Sequence, residues 1–193
     1  MHEIRLYPAN TQPVRRKNSY IRVFIGFDMY IGLLSDTHGV FDAPFRDFLL
    51  PVDEIWHAGD FGGIATAEAI AEFKPLKAVY GNCDGYDVRL EYPLFQLFDC
   101  DGAKVLMTHI GGYPGRYDPR ARALIDEHRP DIFVCGHSHI LKVVNDFKRN
   151  MLVINPGAAG IQGFHTVRTA LRFRIEAGDI KDMEVFELDR KIG

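Results

Sequence analysis

The sequence predicts an α/β protein of two β-sheets packed face to face with helices outside. Three observations predict it. From Met29 onward, apolar runs alternate with helical segments in the order strand, helix, strand, helix, strand, which implies a parallel sheet with right-handed crossovers. The last third is dense in strands separated by tight turns, which implies antiparallel pairing. A chain of 193 residues, 47% hydrophobic and 25% charged, can bury a core without staples.

Each element follows from its local pattern. The run Tyr30-Ile31-Gly32-Leu33-Leu34 reads as a buried strand over 30–35. A short helix over 43–50, a strand over 54–58, a helix over 66–73 and a strand over 76–80 complete the alternating half. Strands over 94–99 and 104–108 are joined by a turn at Asp101-Gly102. A helix over 119–127 has Asp118 as its cap and Pro119 at its first position. Strands over 132–135, 141–146, 151–154, 166–175 and 180–188 follow, with turns at Lys148-Arg149-Asn150 and Ala177-Gly178-Asp179. Trp56, Phe45, Phe48 and Phe73 read as core, and Cys100 and Cys135 as core or strand-end fillers.

Charge and cysteine usage exclude several classes. Lys and Arg number 23 against 26 Asp and Glu, a net charge of −3. Such a chain has no bulk field for nucleic acid or anionic lipid, so neither a stable nucleic-acid partner nor a membrane is expected. No apolar run reaches the ~20 residues that span a bilayer. Cys83, Cys100 and Cys135 form no C-x-x-C pair, which suits a reducing, cytoplasmic setting. Residues 7–19 carry no strand or helix period and include the basic triplet Arg15-Arg16-Lys17. The apolar stretch after them is broken by Arg22 and Asp28, unlike a signal peptide. Residues 1–28 are therefore read as an N-terminal extension from a wrongly assigned start codon and not part of the native protein, with Met29 as the natural start of a domain over 29–193. The alternative is an added strand over 20–27.

The chemistry sits at strand ends. The first strand runs into Asp36-Thr37-His38-Gly39, the second into Gly59-Asp60, and the third into Gly81-Asn82-Cys83-Asp84. The strand over 104–108 runs into His109, and that over 132–135 into Gly136-His137-Ser138-His139. Taken singly, each is an ordinary turn. Together they place carboxylate, imidazole and amide at the carboxyl ends of strands, where open α/β sheets bind ligands. Asp36, His38, Asp60, Asn82, His109, His137 and His139 form a donor set that suits two ions sharing a carboxylate, with Asp60 as the bridge. A nitrogen-and-oxygen set without sulfur favours a divalent transition metal, manganese, iron, nickel or zinc, over magnesium or calcium, without choosing among the four; manganese is the expected cofactor.

These motifs, with Asn155-Pro156-Gly157, resemble those of the calcineurin-like metallophosphoesterases. The closer resemblance is to the small bacterial and archaeal phosphodiesterase branch related to Vps29, and it covers Met29 to about Leu188. It implies a four-layer αββα sandwich. It implies that Asp36, His38, Asp60 and His139 hold one metal, and Asp60, Asn82, His109 and His137 the other. It also implies hydrolysis of phosphodiesters by hydroxide generated between the ions.

Two departures bear on specificity. Cys83 stands where many superfamily members have a His that protonates the leaving group. At the fourth loop many close relatives have His-Gly-His, whereas this chain has His109-Ile110-Gly111-Gly112, which keeps the metal His and loses the contacts after it. In the loop that follows, Arg116 either pairs with a phosphate oxygen or is a solvated arginine. His57 reads as a packing or supporting residue, and His165 as a residue that approaches the pocket from a glycine-rich loop. The expected partner is a small phosphoester, and a homo-oligomer is left open. The competing functions are a Vps29-like interaction scaffold with little activity, and a phosphomonoesterase or nucleotide hydrolase of the same superfamily.

Overall fold

The computed structural model describes residues 3–6 and 28–190. In chain order the elements are β1 (Glu3–Leu6), β2 (Met29–Leu34), α1 (Ala43–Leu49), β3 (Glu54–His57), α2 (Ile64–Phe73), β4 (Leu76–Ala78) and α3 (Tyr86–Glu91). There follow β5 (Phe95–Cys100), β6 (Ala103–Thr108), β7 (Gly112–Tyr113), β8 (Arg116–Tyr117), α4 (Pro119–His128) and β9 (Ile132–Val134). The chain closes with β10 (Leu141–Asp146), β11 (Met151–Pro156), β12 (Val167–Glu176) and β13 (Asp179–Asp189).

Two mixed sheets result. One has the order β1-β13-β12-β2-β3-β4 and the other β10-β11-β9-β6-β5, with β7 and β8 as a separate hairpin. The parallel pairs β2–β3 and β3–β4 follow from the βαβαβ alternation. Antiparallel pairing holds for β10–β11 and β12–β13. It does not hold throughout the later half, since β9 is parallel to both β6 and β11. The helix α4 carries the chain from β6 to β9 and so restores a parallel crossover. β1 adds an antiparallel edge to β13, with Ile4 opposite Phe186. The alternative strand over 20–27 lies outside the described residues.

Side-chain alternation sorts the core into three layers. Ile31 and Leu33 of β2 point inward with Trp56, and meet Val105, Met107, Val134 and Ile154 of the second sheet. Tyr30 and Leu34 point to the other face, where Phe45, Phe48, Leu49, Ala67 and Ile70 of α1 and α2 cover them. On the outer face of the second sheet, Leu106, Phe133 and Val153 pack under Ala121 and Ile125 of α4. This is the αββα sandwich. Asp118 caps α4 as predicted, its carboxylate accepting from Arg120 N at 2.9 Å and Ala121 N at 3.2 Å. Among the described residues no helix is long and apolar enough to cross a membrane.

The inner layer positions the site. β2, β3, β6 and β9 all end at one edge of the sandwich, and loops from both sheets meet there. Cross-links pull them together: Asp36 N donates to Gly59 O at 2.9 Å, Gly136 N to His109 O at 2.9 Å, and Gly160 N to Asp36 O at 2.9 Å.

Candidate metal centre

Asp36 and His38 follow β2, Asp60 follows β3, Asn82 and Cys83 follow β4, His109 follows β6, and His137 and His139 follow β9. Asp36, His38, Asp60, His137 and His139 all adopt left-handed backbone conformations, with φ between 46° and 68°. Left-handed non-glycine residues are uncommon, and such clusters mark functional sites. Two glycines permit the loops to close. A Cβ on Gly81 would collide with the Asp60 carboxylate and backbone, and one on Gly136 with the Ser35 hydroxyl.

The donors converge as two groups, Asp36 with His38 and His139, and Asp60 with His109 and His137. Within each group the ligand atoms lie within 4.8 Å of one another. His139 Nε2 is 3.2 Å from Asp36 Oδ1 and 3.4 Å from His38 Nε2. His109 Nε2 is 3.3 Å from Asp60 Oδ2 and 3.1 Å from Asn82 Oδ1. Asp60 Oδ2 also lies 4.0 Å from His38 Nε2, so this one carboxylate faces both groups.

Lone pairs therefore point at lone pairs. His109 Nδ1 is held by the Ala58 carbonyl at 2.7 Å. A carbonyl only accepts, so Nδ1 carries the proton and Nε2 presents its lone pair to Asp60 and Asn82. Buried Asp36 Oδ1 accepts no hydrogen bond, an orphan that needs a cation or proton. The residues present fit a pair of divalent ions on this ground and by their donor types. Without ions, neighbouring charge moves the protons. Burial pushes the Asp60 carboxyl up, but the His109 contact and the Cys83 N–H at 2.8 Å outweigh it and hold the group well below the usual range. Burial lowers His109, yet Asp60 and Asp36 raise it overall. The Asp36 contact likewise raises His139, against the opposing effect of burial.

Supporting residues lock the loops. The buried Asp84 carboxylate accepts backbone N–H groups from Asp60 at 2.9 Å, Gly62 at 3.1 Å and Gly81 at 2.8 Å. Asp84 is a supporting residue that the Gly81-Asn82-Cys83-Asp84 motif alone does not distinguish from a turn residue; its signal is its place two residues after Asn82. Asn155 Nδ2 donates to Gly136 O at 2.7 Å and Ser138 Oγ at 3.1 Å, clamping the His137 loop. His57 is a supporting residue. Its Nδ1 accepts from Gly59 N at 3.1 Å, its Nε2–H faces Thr37 Oγ1 at 3.0 Å, and its ring stacks on Phe61. Burial keeps it neutral, with its pKa pushed down to about 3. His165 reaches the centre from behind, 3.2 Å from His139.

Cys83 is exposed beside the site, its Sγ 3.2 Å from Asn82 Nδ2. Partial burial and the Asp60 carboxylate push its thiol up. Arg116, on β8, lines a cavity whose wall also includes His137 of the second donor group.

Comparisons with known proteins agree with this geometry. A sequence model of the calcineurin-like phosphoesterase superfamily domain matches residues 29–178. A protein of Methanothermobacter thermautotrophicus described as a "Probable metallophosphoesterase" is 32% identical over 142 residues, covering 67% of this chain and 77% of that one. Among solved structures, a predicted phosphoesterase from Streptococcus pneumoniae TIGR4 superposes with a TM-score of 0.62 at 23% identity, covering 84% of this chain and 90% of that one. Zinc-bound Vps29 from Entamoeba histolytica superposes with a TM-score of 0.57 at 18% identity, covering 84% of this chain and 100% of that one. The sandwich, the two converging donor groups and the match across residues 29–178 place this chain in the calcineurin-like phosphoesterase superfamily.

Proposed function

We propose that the protein is a dimetal phosphodiesterase. The observation that carries the reading is the position of Asp60, whose Oδ2 faces His109 at 3.3 Å and His38 at 4.0 Å. A carboxylate so placed suits a bridge between two ions. Asp36, His38, Asp60 and His139 would hold one ion, and Asp60, Asn82, His109 and His137 the other. Bound there, two divalent ions would supply positive charge to phosphate oxygens and make hydroxide available near neutral pH. The mixed imidazole, carboxylate and amide set favours a divalent transition metal, manganese, nickel, iron or zinc, over magnesium or calcium.

The chain's own residues supply the rest. Asp84 and Asn155 hold the donor loops rigid, so little reorganisation accompanies substrate entry. His57 fixes Thr37 between Asp36 and His38 without bringing charge. Cys83 would stand at the leaving-group side, where its thiol donates a proton only weakly, so esters with good leaving groups are the expected substrates. Residues 29–193 form the phosphoesterase domain in this reading, with residues 1–28 as an extension. A small phosphoester substrate in the cytoplasm completes it.

The competing activity within the superfamily is monoester hydrolysis. Turnover of matched aryl phosphodiesters and monoesters by the manganese-loaded protein decides. Diesters are expected to have the larger kcat/KM. Preference for monoesters would overturn the diesterase reading, and metal binding without turnover of either would favour an interaction scaffold.

A further inference from the structure

A cavity of about 280 Å³ opens beside the metal centre. Its wall includes Gly136 and His137 together with Tyr113, Arg116, Ile140 and Lys142. His137 is also a member of the donor group with Asp60 and His109. The cavity thus shares His137 with the donor group at which a scissile phosphate would be held.

Its rim is built rather than loose. Tyr113 and Arg116 are directly paired across the β7–β8 hairpin. The Tyr117 hydroxyl donates to Asp146 Oδ2 at 2.9 Å and so ties the hairpin's second leg to β10, while Asp118 N donates to Gly111 O at 2.9 Å and closes the hairpin's base. Lys142 projects from β10, its ammonium 3.8 Å from the centre of the Tyr113 ring. The aromatic face holds that cation in place.

The charge at this rim is unbalanced. The ion pairs found elsewhere on the described residues join Lys77, Arg122, Arg149, Arg168, Arg172, Arg174 and Lys181 to carboxylates. Neither Arg116 nor Lys142 has such a partner among the described residues. The acid in the wall is Asp118, whose carboxylate caps α4. Two cations with no carboxylate partner among the described residues, set together on one cavity rim, are the chemistry of an anion subsite.

We propose that this cavity receives a second anionic group of the substrate, a carboxylate or a phosphate carried beyond the scissile phosphate, and that Lys142 and Arg116 recognise it. The inference rests on the phosphoesterase reading and narrows its substrates to esters with two anionic groups.

Phenylphosphonate and 4-carboxyphenylphosphonate differ by one carboxylate and serve as probes. Each is titrated calorimetrically into the manganese-loaded protein, and the ratio of the two dissociation constants is read. The wild type is expected to favour the carboxylated probe by about two- to fivefold, the scale of one partly exposed charge pair. Lys142→Gln and Arg116→Gln should each reduce that ratio, Lys142→Arg should restore it, and added salt should lower it. Equal affinity for both probes would overturn the inference while leaving the metal centre intact. A preference that survives both glutamine substitutions would overturn it too, because the ions themselves would then be chelating the carboxylate. Failure of phenylphosphonate to bind at all would overturn the metal-centre reading, and this inference with it.

Discussion

His165 and His139 face each other through their Nδ1 atoms at 3.2 Å, and the opposite nitrogen of His165 lies 3.0 Å from the Gly160 carbonyl. The carbonyl accepts only, so His165 Nε2 carries the proton. Burial and the neighbouring His139 and Arg190 lower the His165 pKa, which favours its neutral form. His165 Nδ1 is then an acceptor, and His139 Nδ1–H must donate to it. That leaves the His139 Nε2 lone pair aimed at Asp36 and His38, as metal ligation requires.

Removal of this acceptor should weaken one ion and spare the other. His165→Ala should lower affinity at the Asp36, His38 and His139 group by about 10- to 100-fold. His165→Asn, which keeps an acceptor, should recover part of it. Calorimetric titration of chelator-treated protein with manganese measures both sites, and an unchanged isotherm for His165→Ala would refute the relay.

Asp84→Asn should damage both the fold and the centre. Its carboxylate receives three backbone N–H groups, and an amide places a donor where an acceptor is needed. A loss of about 1–3 kcal/mol in unfolding free energy is expected, with weaker metal binding because Asp60 loses its fixed backbone. Denaturant unfolding with and without manganese checks both parts. Wild-type stability in the variant would mean that the three contacts contribute nothing net.

Much of this was legible in the sequence because glycines and donors punctuate the strand ends. The turns at Asp36–Gly39, Gly59-Asp60 and Gly136–His139 interrupt apolar runs, and a fold built from those runs must bring the turns to one edge. Helix α3 (Tyr86–Glu91) was not legible. It is one and a half turns long, carries a single buried residue, Val88, and leaves Tyr86 and Leu90 exposed, so it has no apolar period to read. The hairpin β7–β8 was also missed, since two-residue strands leave no alternation. The role of Asp84 depends on backbone amides from two separate loops, and such contacts have no residue pattern of their own.

Acid should destabilise the metal-free protein partly through His57. Its pKa falls from 6.5 unfolded to about 3 folded, chiefly by burial. Between those values the unfolded chain binds a proton that the folded chain refuses. Stability is therefore lost as pH falls through this window, at up to about 1.4 kcal/mol per pH unit for one group. His57→Gln should be less stable at neutral pH but show a shallower decline from pH 6.5 to pH 4. Thermal unfolding across that range tests it, and parallel profiles would show that His57 is not the group responsible.

Cys83→His should change the dependence on the leaving group. A histidine there could protonate the departing oxygen, worth about 10²–10⁴-fold where that proton limits the rate. The gain should be larger for alkyl than for aryl leaving groups. A plot of log kcat/KM against leaving-group pKa reads it as a shallower slope. An unchanged slope with both metals retained would remove Cys83 from the leaving-group side.

The most direct test of the centre is the manganese stoichiometry of chelator-stripped wild type and Asp60→Asn, measured by equilibrium titration. A carboxylate shared by both donor groups predicts two ions per chain in the wild type, and weakening at both sites in the variant with the fold retained. A single ion in the wild type, or two ions held by Asp60→Asn as tightly as by the wild type, would contradict it.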